Sequence, residues 1–267
     1  MDNRAVVIIT GASRGLGASI AHWLGKNGNK VVVAARSTDG LLKCADEVEK
    51  LGGKALAVTM DVSNPEACRE LIAKTVDTFG HIDGIVNNAG VVTPLASIEN
   101  ADPAAWKYCM EVNLIGPFHM TKFSLPYLRL SKGRLINVSS GASNIPIESA
   151  AAYCASKAAL NHFTSVLAAE EPDITAVAIR PGVVDTDMQA YLRKEGPGVM
   201  PKQTANFYLD LKQEGKLEPP EIPARSIAWL ALHAPGEMSG SFRSYDDSDI
   251  IEPALKFFNP KDNPKDK

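Results

Sequence analysis

The chain is 267 residues long, 45% hydrophobic and 22% charged, and its 28 Lys and Arg against 31 Asp and Glu leave a formal net charge of −3. That length can bury a large core without staples; the absence of a basic run argues against nucleic acid, and no stretch approaches the ~18 apolar residues of a membrane span. Cys44, Cys68, Cys109 and Cys154 form no C-x-x-C pair and have no His cluster beside them, so they read as reduced, buried thiols of a cytoplasmic chain that holds no metal, and the N-terminus carries no apolar signal region.

Residues 5–10 are a compact β-branched run, the mark of a strand covered on both faces. They lead straight into Gly11-Ala-Ser-Arg-Gly-Leu-Gly17 and then a helical pattern with Ile20, Ala21 and Leu24 on one stripe, ended by Asn27-Gly28. Residues 30–35 are a second buried strand. Strand, glycine turn, helix, strand is a βαβ unit. Glycines at 11, 15 and 17 let the turn tighten and let backbone N–H groups approach a pyrophosphate, which then faces the positive end of the helix. A carboxylate at the end of the second strand would hold the ribose hydroxyls of NAD. Ala35 and Arg36 stand there instead, Arg36 being 19 residues beyond Gly17. Nothing repels a 2′-phosphate, and a guanidinium can hold one as a fork; Arg14 adds a second cation. The expected cofactor is NADP(H), with NADPH preferred over NADH. The alternative is that Arg36 is a solvated surface charge.

The alternation continues with a helix over 41–51, a strand over 54–59, Asp61-Val62, and a helix over 65–79 capped by Asn64 with Pro65 at its first position. A strand over 82–86 leads into Asn87-Asn88-Ala89-Gly90. Residues 103–131 are helical in pattern, and Pro117 and Pro126 predict a kink or break. A strand over 134–138 ends at Ser139-Ser140, a helix carries Tyr153 and Lys157, and a strand over 175–179 ends at Arg180-Pro181-Gly182. Between 187 and 220 the rhythm is lost, with Gly196-Pro197-Gly198 and Pro219-Pro220 among short helical patches. An excursion of that length after a strand's C-terminal end suits a substrate lid. Tyr191, Phe207 and Tyr208 there either line an aromatic pocket or pack the lid; Trp106 reads as packing. A helix over 223–233 and a strand over 240–245 follow, and the Pro-, Lys- and Asp-rich tail from Asn259 reads as disordered. With no repeat and no linker, the expected fold is α/β: one Rossmann-fold domain over residues 1–258, a doubly wound, seven-stranded parallel sheet with helices on both faces.

Tyr153 and Lys157, four residues apart, share one face of their helix. A phenol titrates near ~10 by itself, and a nearby ammonium favours its ionised form, making the pair an acid–base unit. The spacing alone is short and common. Ser140, 13 residues upstream at a strand end, can donate to a carbonyl oxygen; Ser139 would point the other way.

Together these residues resemble the short-chain dehydrogenase/reductase family over roughly residues 5–245. Thr10-Gly-Ala-Ser-Arg-Gly-Leu-Gly17 is similar to its cofactor turn, which implies contacts from Gly11, Ser13, Arg14, Gly15 and Leu16. Asp61-Val62 resembles the pair beside the adenine, and Asn88, Ala89 and Gly90 match its cofactor-lining motif. Asn113 matches the helix asparagine that completes the catalytic set with Ser140, Tyr153 and Lys157. Pro181-Gly182, with Val184 and Thr186, resembles the loop that holds the carboxamide. Within the family, Ser156-Lys-Ala-Ala-Leu-Asn-His-Phe163, Pro181-Gly-Val-Val-Asp-Thr-Asp-Met-Gln189 and Leu230-Ala-Leu-His233 resemble the fungal benzil reductases that form (S)-benzoin and, more loosely, sepiapterin reductases. Many members end the last strand in Asp-Gly-Gly, where this chain has Ser244-Tyr245-Asp246-Asp247.

The resemblance implies reduction of a small-molecule carbonyl, a ketone or an aromatic or vicinal diketone. Tyr153 would give the proton, Ser140 hold the oxygen, Lys157 lower the phenol pKa and bind the nicotinamide ribose, and Asn113 position a water. The rival reading is a cofactor-binding sensor or scaffold without turnover, whose mark would be a broken Ser–Tyr–Lys set. The resemblance also implies pairing into a homodimer through the 103–131 and Tyr153 helices, with a monomer as the alternative.

Overall fold

The computed structural model describes residues 4–258, so the tail expected to be disordered lies outside the described residues. Seven strands form one sheet in the order β3-β2-β1-β4-β5-β6-β7: β1 (Val6–Thr10), β2 (Lys30–Ala35), β3 (Lys54–Thr59), β4 (Gly84–Asn87), β5 (Arg134–Val138), β6 (Thr175–Arg180) and β7 (Phe242–Ser244). Every pairing is parallel, with Ile8 opposite Val32 on one side and Ile85 on the other. Parallel strands buried on both faces read as unbroken apolar runs, and all of β1 is buried.

Successive residues of a strand point to opposite faces, so each run feeds two cores. Val7, Ile9, Val31 and Val33 pack on α1 (Gly15–Lys26), α2 (Thr38–Lys50), α9 (Glu221–His233) and α10 (Ser248–Phe257) through Ile20, Leu24, Leu41, Ile227 and Ile250. Val6, Ile8, Val32 and Ala34 pack on α3 (Pro65–Phe79), α5 (Gly116–Ser131) and α6 (Ala151–Glu170) through Leu71, Met120, Leu128 and Leu167. The strand order reverses at β1, between β2 and β4. The helices leave on opposite faces there, and a crevice opens at the strands' C-terminal ends.

Helical pattern and structure part company in three places. The segment 103–131 breaks before its first proline: α4 (Pro103–Met110) runs into a π-helical turn (Glu111–Ile115), and α5 then starts with Pro117 in its first turn. Pro117 has no N–H for the carbonyl four residues back, that of Asn113, so the disturbance is felt upstream of the ring. Pro126 lies inside a continuous α5. The excursion after β6 holds two full helices, α7 (Asp187–Val199) and α8 (Lys202–Gln213), of 13 and 12 residues. Gly196-Pro197-Gly198 closes α7, with Met200 N–H bonding back to Gly196 O at 2.8 Å, instead of splitting the segment. The last helix, α10, was not expected from the sequence, where Pro253 reads as a breaker; Ile250 and Ala254 bury its inner stripe.

Candidate active site

The crevice is built first from backbone. Gly11 has φ +68°, and a Cβ there would stand 2.8 Å from the Cα of Ala89. A Cβ on Gly17 would stand 2.4 Å from the carbonyl oxygen of Gly11. No side chain fits at either place, so the glycine turn closes on itself and on the end of β4. Side chains stitch the same seam: Asn88 Nδ2 donates to the carbonyls of Thr10 (2.9 Å) and Gly11 (3.2 Å). The Thr10 hydroxyl accepts from the N–H groups of Asn88 and Ala89, both at 3.1 Å.

One cleft of about 1360 Å³ runs from this turn to α7 and α8. Gly11, Ser13, Arg14, Gly15, Leu16, Arg36, Asp61, Val62, Asn88, Ala89 and Gly90 line it on the turn side. Ser140, Tyr153 and Lys157 line its floor, and Pro181, Gly182, Val184 and Thr186 its far wall. Asn113 is the exception. It is fully buried behind the cleft in the π-helical turn, where Oδ1 accepts from Val91 N–H (2.8 Å) and Nδ2 donates to Val91 O (2.8 Å) and Ser156 Oγ (3.0 Å). It thus ties the segment after β4 to α6. A Cβ on Gly90 would stand 3.4 Å from Asn113 Oδ1 and 3.7 Å from Lys157 Nζ, so the two side chains meet across that glycine.

The cations at the mouth are partly engaged. Arg36 Nη1 donates to the Tyr108 hydroxyl at 2.5 Å and lies 3.9 Å from Asp61 Oδ2. Asp61 Oδ1 is itself held by the N–H (2.9 Å) and hydroxyl (2.8 Å) of Ser63. Arg14 pairs with Asp187, the first residue of α7, at 2.7 Å, both side chains being about 70% exposed. Nothing in the sequence singled out Tyr108: it is an unremarked aromatic on α4 until the fold sets it across the cleft from Arg36. A glycine cradle with two guanidinium groups at its mouth fits a phosphate-bearing nucleotide.

Lys157 Nζ donates to the carbonyl of Val138 at 2.7 Å and lies 5.8 Å from the centre of the Tyr153 ring. Burial lowers its pKa to about 8. Burial also pushes the Tyr153 phenol up, opposed by the Ser140 hydroxyl. The expected downward pull of the ammonium therefore does not set the phenol's pKa in this structure. A low-dielectric floor disfavours both charged forms, and burial is the largest cause at each group. Ser140 Oγ accepts from Ala142 N–H at 3.1 Å, the first donor of a short turn (Gly141–Ser143). Its own O–H is within reach of the Tyr153 hydroxyl, whose pKa it lowers. Ser139 Oγ, next to it, is buried with no partner among the described residues.

Helices α7 and α8 reach this floor. Tyr208 is buried against the cluster that contains Tyr153, while Trp106 and Tyr191 pack on it partly buried. Phe207 is 53% exposed, so of the aromatics weighed for a pocket it is the one turned most to solvent. At the far wall Gly182 has φ +76°, and a Cβ there would stand 2.9 Å from Tyr245 Cε1. The backbone of Asp185 and Val183 pairs with Glu218, which holds the stretch after α8 against the loop before α7.

A doubly wound parallel sheet, a glycine turn at its switch point and a Ser–Tyr–Lys floor are the layout of a dinucleotide-dependent oxidoreductase. The chain belongs to the short chain dehydrogenase family, whose model matches residues 5–196, and that family works with a nicotinamide cofactor. It is 37% identical over 259 residues to the uncharacterized oxidoreductase YIR035C of Saccharomyces cerevisiae, covering 96% of this chain and 99% of that one. The crystal structure of that yeast protein superposes with a TM-score of 0.89, covering 93% of this chain and 98% of it. The crystal structure of the KRED1-Pglu enzyme is 42% identical, with a TM-score of 0.86 over 89% of this chain and 99% of that one. A benzil reductase ((S)-benzoin forming) of Saccharomyces cerevisiae is 34% identical over 254 residues, 91% of this chain and 96% of the relative. Among the described residues no helix is long and apolar enough to cross a membrane.

Proposed function

We propose that the protein is an NADPH-dependent carbonyl reductase of the cytoplasm that reduces a ketone, with aromatic or vicinal diketones as the favoured class. The observation that carries this reading is the single cleft that joins the Arg36 end of the glycine turn to the hydroxyls of Ser140 and Tyr153. When bound, the reduced nicotinamide supplies the hydride. Ser140 donates its O–H to the carbonyl oxygen while its own oxygen accepts from Ala142 N–H. Tyr153, kept neutral by burial, delivers a proton to the same oxygen. Lys157, charged below about pH 8, attracts the negative charge that develops there. Asn113 acts through position: it holds Val91 and Ser156, and through them the floor.

Arg36 supports NADPH over NADH because a guanidinium can take the 2′-phosphate in fork geometry. Asp61 lies 3.9 Å from it and is held by the Ser63 hydroxyl. The α7–α8 pair serves as the lid over the carbonyl end, and the likeness to a benzil reductase supports the diketone class. The test is NADPH absorbance decay with benzil beside a panel of simple aldehydes and ketones, repeated with NADH. Turnover with benzil and NADPH is expected. Tight NADPH binding with silence across the whole panel would overturn the reading in favour of a sensor.

A further inference from the structure

Tyr208 is the second phenol of the cleft. It lies in α8, and Thr204, Tyr208 and Lys212 follow one another at four-residue spacing, so they share one stripe of that helix. Both ends of the stripe are tied down. Thr204 Oγ1 donates to Glu148 Oε2 at 2.9 Å, and Lys212 Nζ to Asp185 Oδ2 at 2.6 Å. Ser149 Oγ adds a bond to the carbonyl of Val199 at 2.7 Å, fixing the corner between α7 and α8. Between these anchors the Tyr208 ring is only 5% exposed and packs in the cluster of Tyr153, Ala142 and Leu192. Tyr208 lines the same cleft as Ser140 and Tyr153. Its hydroxyl has no hydrogen-bond partner among the described residues, yet it is not sealed away from the cleft.

A phenol whose ring is packed and whose hydroxyl is unspent is a preorganised donor. Tyr153 and Ser140 already serve the carbonyl that is reduced, so a further donor in the same cleft is available to another acceptor on the same substrate. We propose that Tyr208 holds the second oxygen of a vicinal dicarbonyl, and that this bond makes the cleft selective for 1,2-diketones over isolated ketones. The inference rests on the reductase reading of the site. Burial, and the nearness of Tyr153, push the Tyr208 phenol up to about 12, so it stays a neutral donor throughout the working range. The bond forms in the bound substrate and persists through the reaction, because the second oxygen does not change. Its loss therefore appears in KM more than in kcat.

The test compares benzil with deoxybenzoin, the same skeleton with a methylene in place of one carbonyl, for the wild type and Tyr208→Phe, both with NADPH. The ratio of kcat/KM for benzil to that for deoxybenzoin is expected to fall roughly tenfold in the variant, mostly through a higher KM for benzil. An unchanged ratio, with both substrates equally affected or neither, overturns the role and leaves Tyr208 as packing. A wild type that reduces neither compound overturns the reductase reading and this one with it. Titrating the NADP⁺-loaded proteins with benzil, read by intrinsic fluorescence, gives a second arm independent of turnover. Weaker binding by the variant supports the role, and equal binding overturns it.

Discussion

At the scale of single residues, burial is what sets the chemistry. Tyr153 and Lys157 sit on a floor that resists both of their charged forms, with Lys157 lowered to about 8 and the phenol raised. The sign follows directly. Below about pH 8 Lys157 carries its proton and can attract negative charge; above it the ammonium is lost while the phenol is still protonated. The kcat/KM for NADPH, which reports the free enzyme, is expected to fall as pH rises through about 8; a flat profile to pH ~10 would remove Lys157 from the mechanism. Tyr153→Phe deletes the proton donor alone and should lower kcat by about 10²–10⁴-fold while NADPH binding, read by fluorescence, survives. Arg36→Asp places a carboxylate where a 2′-phosphate would sit. It should raise the KM for NADPH far more than that for NADH, and equal losses for both would leave Arg36 a solvated charge.

At the scale of elements, the π-helical turn between α4 and α5 is the piece most specific to the site. It aims Asn113 inward, where one side chain satisfies both backbone groups of Val91 and reaches Ser156 on α6. Asn113→Leu leaves the half-buried N–H of Val91 without that acceptor, at a cost of about 1 kcal/mol for the orphaned donor. The denaturation midpoint should drop accordingly, and an unchanged midpoint would show that the loop after β4 is held by something else. The helical pattern of residues 103–131 was plain, and so was its interruption. The place of the interruption was not, because a proline's missing N–H is felt one turn earlier, in the geometry of residues that look like ordinary helix. The full extent of α7 and α8 was hidden for a related reason. Gly196-Pro197-Gly198 reads as a breaker in isolation, but it falls in the last turn of α7, where the missing N–H of Pro197 removes one bond and little helix follows to be disrupted.

At the scale of the molecule, the pairing implied by the resemblance uses the outer faces of α5 and α6, where Phe118 and Val166 are exposed. Phe118 meets Phe163 edge-on there, their ring centres 6.4 Å apart. Light scattering is expected to give the mass of two chains, and Phe118→Glu to give the mass of one. A one-chain mass for the wild type would remove the dimer.

Local chemistry was enough to determine the sheet, its parallel sense, the glycine turn and the Tyr–Lys helix, because periodicity, backbone freedom at glycine and four-residue spacing act over a few neighbouring residues. The seven strand-like runs became seven parallel strands for that reason. What required the folded chain was distance between residues far apart in sequence: Tyr108 across the cleft from Arg36, Arg14 paired with the start of α7, Asn113 behind Gly90, and Tyr208 brought to Tyr153. The strength of burial on the floor was decided in the same way. A pKa depends on everything packed around a group, and only the tertiary structure specifies that.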